Sequence, residues 1–95
     1  MSYILKDQAK ETLSELDRDK AGQILDVIQD FSEKGLDHSN VKLIKDRRGE
    51  WLYRIKIVSE NCNHRAFIDY IDGRIEVLDI LHRDVAYEGK FGNRN

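Results

Sequence analysis

From Trp51 to Leu81 the chain alternates apolar and polar residues with a period of two, and that pattern restricts the region to β-strands. In the first run, Trp51, Tyr53, Ile55 and Ile57 share one face, and Leu52, Arg54, Lys56 and Val58 share the other. In the second, His64, Ala66, Ile68 and Tyr70 oppose Arg65, Phe67 and Asp69. Asp72-Gly73 is a hairpin turn signal, and Arg74 to Leu81 supplies a third long strand, apolar on both faces, as in a central position. Ser59 to Asn63 and Asp46 to Gly49 read as turns, the latter preceded by a shorter strand from Val41 to Lys45.

The first third has a different period. Tyr3 to Leu5 reads as a short edge strand. Asp7 is placed to cap a helix reaching about Leu16, with Ala9, Leu13 and Leu16 on one side. Asp19 is placed to cap a second helix to about Lys34, whose Ala21, Ile24, Leu25, Ile28 and Phe31 follow the i, i+3, i+4, i+7 rule, and Gly35 is its natural stop. The expected architecture is α+β: one domain spanning 1–95, with an N-terminal helical hairpin packed on a curved, mainly antiparallel sheet of four to five strands. Trp51 is expected as a core anchor.

A chain of 95 residues buries roughly 65% of its unfolded surface, enough for one core. No apolar run approaches the length of a membrane span, the N-terminus lacks the pattern of a signal peptide, and the lone Cys62 cannot form an internal disulfide. The expectation is a cytoplasmic protein without membrane contact. The net charge of −2 opposes a simple nucleic-acid binder, but its distribution is uneven. Residues 1–37 carry five Lys/Arg against nine Asp/Glu, whereas residues 38–95 carry eleven against nine. Between Lys42 and Lys56, the six basic residues Lys42, Lys45, Arg47, Arg48, Arg54 and Lys56 face two acids. The strand pattern gathers Arg54, Lys56 and Arg65 on the face away from the aromatic core, with Arg83 at the end of the last strand. Guanidinium and ammonium groups collected this way suit phosphate. The simpler reading of each is a solvated face or a local ion pair: Arg65 with Asp69 or Glu76, and Arg83 with Asp79 or Asp84. The three histidines and Cys62 lack metal-ligand spacing, so neither metal nor cofactor is expected.

The order of elements, with W-x-Y-R-I-K-I, then H-R-A-F-I-D-Y-I, then V-L-D-I-L-H-R-D-V-A-Y, resembles the RelE/ParE toxin superfamily, and within it the RelE-type mRNA interferases of prokaryotic toxin–antitoxin systems. The resemblance implies a ribosome-dependent endoribonuclease that cuts mRNA in the A site and needs no metal. It implies catalytic roles for Arg65, Arg83, Lys56 and Tyr87. Arg54 would position RNA, with Lys42, Lys45, Arg47 and Arg48 as further RNA-binding residues. The implied partners are a cognate antitoxin, the ribosome and mRNA, with DNA bound only together with antitoxin. Tyr87 stands closer to Arg83 than in the best-known RelE toxins, and the overall charge is more acidic. Two alternatives stay open: a ParE-like inhibitor of DNA gyrase, and a catalytically weak homologue that acts by binding antitoxin.

Overall fold

A computed structural model describes residues 3–46, 48–60 and 62–86. The elements run β1 (Tyr3–Leu5), α1 (Asp7–Glu15), α2 (Arg18–Lys34), a 3-10 turn (Gly35–Asp37), β2 (Val41–Lys45), β3 (Trp51–Ser59), β4 (Cys62–Ile71), β5 (Arg74–His82) and α3 (Arg83–Ala86). The strands form one five-stranded sheet in the order β1-β5-β4-β3-β2. β2 to β5 are an antiparallel meander, and β1 joins β5 in parallel, pairing Tyr3 to Leu5 with Ile75 to Val77. The fold is the expected α+β arrangement of two helices on a mainly antiparallel sheet.

The core lies between the helices and one face of the sheet. Ala9 from α1 and Ile24, Ile28 and Phe31 from α2 pack with Ile55, Ile57, Ala66, Ile68, Ile75, Val77 and Ile80. The period-two and period-3.6 patterns thus converge on one apolar layer, and its burial is the main driving force of the fold. A smaller cluster of Ile44, Leu52 and Phe67, with Leu81 against it, forms on the opposite face.

The turns follow from local chemistry. Asp72 (φ 50°) and Gly73 (φ 76°) both take left-handed conformations, as a two-residue type I′ hairpin requires. Between β2 and β3, the Asp46 carboxylate accepts the backbone N–H groups of Arg48 and Glu50, each at 2.9 Å, and Gly49 takes φ 84°. The bond from Glu50 is the main reason that the Asp46 carboxyl lies below its ordinary range.

The helix starts differ from the sequence expectation by one or two residues. Lys6, not Asp7, is the N-cap of α1, without a side-chain cap, because the Lys6 N–H still donates to Val77 O (2.9 Å) as a continuation of β1. Asp7 is instead the first helical residue, where its charge favours the helix dipole. α2 is capped by Asp17, whose carboxylate accepts the Lys20 N–H at 2.9 Å, so Asp19 falls in the first turn.

Trp51 also departs from expectation. It shares the helix-side face of β3 by alternation, but it begins the strand beyond the cover of the helices and is 60% exposed. Its ring carries the Lys45 ammonium 4.9 Å from the centroid, a cation–π contact across the β2–β3 pair.

Candidate functional site

Strand register assembles the basic residues into adjoining rows on the sheet face opposite the helices. Lys42 lies directly across from Arg54, Arg54 from Phe67, and Phe67 from Asp79. In the next row Lys56 faces Arg65, and Arg65 faces Leu81. Directly opposed residues in antiparallel strands hold their Cβ atoms roughly 5 Å apart. Lys42, Arg54, Lys56 and Arg65 therefore form one contiguous cationic patch across three strands. Like charges side by side cost stability in a sheet, so a patch of this kind is better accommodated when an anion lies over it.

The four cations differ in exposure. Lys42 and Lys56 are exposed, Arg54 is half-buried, and Arg65 is only 2% exposed. The buried Phe67 and Leu52 beneath them supply an apolar floor, and the Nε atoms of Arg54 and Arg65 are shut off from solvent. Arg65 Nη1 donates to Asn63 Oδ1 (3.0 Å) and to the His64 carbonyl (3.1 Å). These two neutral acceptors orient the guanidinium. The Glu76 carboxylate is held by Arg74 (3.0 Å) and Lys6 (3.9 Å).

Arg83 opens α3, two residues beyond Leu81, and so sits at the end of the Arg65 row. Lys45 belongs elsewhere. It pairs with Trp51, while its neighbour Ile44 pairs with Leu52, so Lys45 points to the helix side of the sheet. Arg48 is exposed in the β2–β3 turn, with its guanidinium 3.5 Å from Asp46. Arg47 and Tyr87 lie outside the described residues.

Asn63, next to the patch, escaped the sequence reading, and Asp79, expected only as an ion-pair partner of Arg83, lies opposite Phe67. Asn63 orients Arg65, and the available signal was the period itself, since residues 63 and 65 must share a strand face. Asp79 is 1% exposed, and its Oδ1 accepts from the Ile80 N–H (2.7 Å) and from Thr12 Oγ1 (3.5 Å). β1 flanks only Ile75 to Val77, and α1 takes over the side of β5 beyond it. A register shift at Phe67/Ile68 brings Asp79, not Leu78, opposite Phe67, and no sequence signal announced that bulge.

A chain of the intact E. coli RelBE toxin–antitoxin complex superposes with a TM-score of 0.64 at 18% identity, covering 84% of this chain and 93% of that one. The fold is RelE-like. A chain of the RelB–RelE antitoxin–toxin complex from Methanococcus jannaschii gives 0.60 at 16% identity, covering 90% and 95%. No protein-family model and no curated protein matches the sequence. The RelE-like likeness therefore rests on backbone geometry, and the residues of the patch carry the chemical argument themselves. No helix among the described residues is long and apolar enough to cross a membrane.

Proposed function

We propose that this chain is the toxin of a type II toxin–antitoxin pair, an endoribonuclease that cuts mRNA in the ribosomal A site. The observation that carries this reading is the contiguous Lys42–Arg54–Lys56–Arg65 patch, built by strand register on the face opposite the helices of a RelE-like fold. RNA cleavage of this kind needs a proton removed from the 2′-OH, stabilisation of charge on the phosphate, and a proton for the leaving 5′-oxygen. Arg65 and Arg83 serve the phosphate, since a guanidinium fork matches its oxygens and stays charged. Lys56, exposed and directly opposite Arg65, is placed to act on the 2′-OH. Arg54 and Lys42 hold the strand, and Tyr87 stacks on a base or assists proton transfer. Attack by the 2′-OH restricts the reaction to RNA and leaves a 2′,3′-cyclic phosphate. The antitoxin is the natural partner, in keeping with the RelB-containing complexes that share the fold.

The burial of Arg65 favours a second reading, a catalytically weak homologue that acts by binding antitoxin. A guanidinium that is 2% exposed meets a phosphate only after its surroundings open. Primer extension on mRNA in a cell-free translation reaction separates the two. Cuts within codons that require ribosomes, and vanish in the Arg65→Ala/Arg83→Ala double variant, are the expected result. Intact mRNA with the wild type, together with tight antitoxin binding, overturns the nuclease in favour of the weak homologue.

A further inference from the structure

The cationic patch leaves a second group of side chains without a role. At the end of the sheet where β3 turns into β4, a surface cavity of about 350 Å³ is lined by Lys20, Ser59, Glu60, Asn63, His64 and His82 among others. Three elements build it: the first turn of α2, the β3–β4 turn and the last residue of β5. His64 and His82 are direct cross-strand partners, with ring centroids 5.3 Å apart and an edge-to-face angle of 86°. His64 is 6% exposed, and its Nδ1 lies 3.3 Å from Cys62 Sγ. The Nδ1 of His82 accepts the Asp84 N–H at 3.2 Å, which leaves the proton of the neutral ring on Nε2.

We propose that this cavity is a phosphate-binding site, and that an RNA strand rounding the end of the sheet from the Lys56–Arg65 row places a phosphate in it. The second half of the statement rests on the RNA-cleaving reading; the first does not. Three features support it. Asn63 is common to both places: its Oδ1 accepts from Arg65, and the residue lines the cavity. Lys20 supplies a fixed charge, and the two imidazoles supply adaptable donors; the Ser59 hydroxyl is given to Gln23 Oε1. His64 is a buried polar ring on a cavity wall, surrounded by the cations Lys20 and Arg65 and by His82, so an anion relieves a crowding of positive charge. Among the described residues, no three His, Cys, Asp or Glu side chains are grouped to hold a metal, which makes an anion the better occupant.

Binding is coupled to protons. Burial first, and then the charges of His82, Lys20 and Arg65, hold His64 below the ordinary histidine range, so the empty cavity keeps it neutral at pH 7. A bound phosphate favours the imidazolium and raises that value. Affinity is then greatest below the free-state pKa and declines as pH rises toward the bound-state pKa. The other titratable groups nearby are Cys62, whose thiol burial pushes up, Glu60 on the wall, Asp17 at 3.9 Å from Lys20, and Asp84 at 3.8 Å from His82. Their carboxylates oppose the anion and limit its affinity.

The test is an NMR titration of the purified protein at pH 6 and pH 8, at constant ionic strength. One arm uses inorganic phosphate, and the other a short RNA made uncleavable by 2′-deoxy substitution. Phosphate is expected to move the His64 and His82 ring signals, with affinity falling up to about tenfold per pH unit for one linked proton. His82→Gln and Lys20→Gln, both surface changes, are expected to weaken binding severalfold while leaving the backbone spectrum folded. If phosphate leaves both rings unmoved, the site is overturned, whatever the variants do. RNA that moves Lys56 but not the rings overturns the shared-strand placement and spares the proposed nuclease. Phosphate that moves the rings while RNA binds nowhere upholds the cavity as a site for free phosphate and sinks the RNA reading.

Discussion

The two faces of the sheet are made by the same strands and obey opposite rules. On the helix side, Ile55, Ile68, Ile75 and Val77 are all shut from solvent beneath α1 and α2. On the other, Lys42, Arg54, Lys56 and Arg65 lie beside one another above a small apolar floor. Arg54, Lys56 and Arg65 each sit one residue from a core isoleucine or alanine. The core therefore dictates where the cations point: a one-residue slip would exchange the two sets. Stability and proposed chemistry are separated by face but locked together by register.

That separation can be broken experimentally. Ile68→Ala on the helix side is expected to cost about 2–5 kcal/mol of stability, read from the urea midpoint, with cleavage per folded molecule unchanged. A cost near zero would show that the core lies elsewhere. Arg65→Ala on the other face is expected to lower ribosome-dependent cleavage about 10²–10³-fold, by analogy with the loss of an oxyanion-hole donor, beyond any change in folded fraction seen by circular dichroism. Equal activity per folded molecule would reduce Arg65 to a structural residue. Lys42→Ala should weaken RNA binding modestly and lower the slope of log affinity against log salt by about one, since one phosphate contact is removed. An unchanged slope would take Lys42 out of the patch.

A smaller effect tests the end of the sheet. His64 is held below its ordinary value in the fold, so the unfolded chain binds its proton first. Stability is then expected to decline as pH drops from about 7 through the ordinary histidine pKa near 6.5, until the folded-state value is passed. His64→Gln should flatten that part of the profile, and an unaltered profile would assign the dependence to another group. Smallest of all, Trp51→Ala is expected to change stability by no more than about 0.5 kcal/mol, because the ring stands largely in solvent. A larger loss would restore Trp51 to the core.

Most of the fold was legible because two periods met. The alternation in β3 and β4 and the heptad-like spacing in α2 each named its buried face correctly, down to Ile24, Ile28 and Phe31. The Asp72-Gly73 turn and the Gly35 stop followed from the φ values that only certain residues accept easily. Alternation also grouped Arg54, Lys56 and Arg65 before any coordinates. What it could not give was depth. Trp51 and Ile55 have the same parity, yet one is exposed and the other buried, because depth depends on where the helices end above the strand. Lys45 and Lys42 belong to one basic run, but odd spacing sends them to opposite faces. The burial of Arg65, the bulge before Asp79 and the meeting of His64 with His82 each depend on pairings between distant segments, which local pattern does not encode.

The parallel pairing of β1 with β5 has a kinetic meaning. Tyr3 to Leu5 precede their neighbours in the sheet, Ile75 to Val77, by 72 residues. Closing so long a loop is entropically costly and slows folding. During synthesis at roughly 5–20 residues per second, the first strand must wait several seconds for its partner. A shorter delay governs the Arg65 row, which lacks Leu81 until β5 is made. A protein proposed to cut the message inside ribosomes thus completes its own cutting surface only once its own codons through β5 have been read.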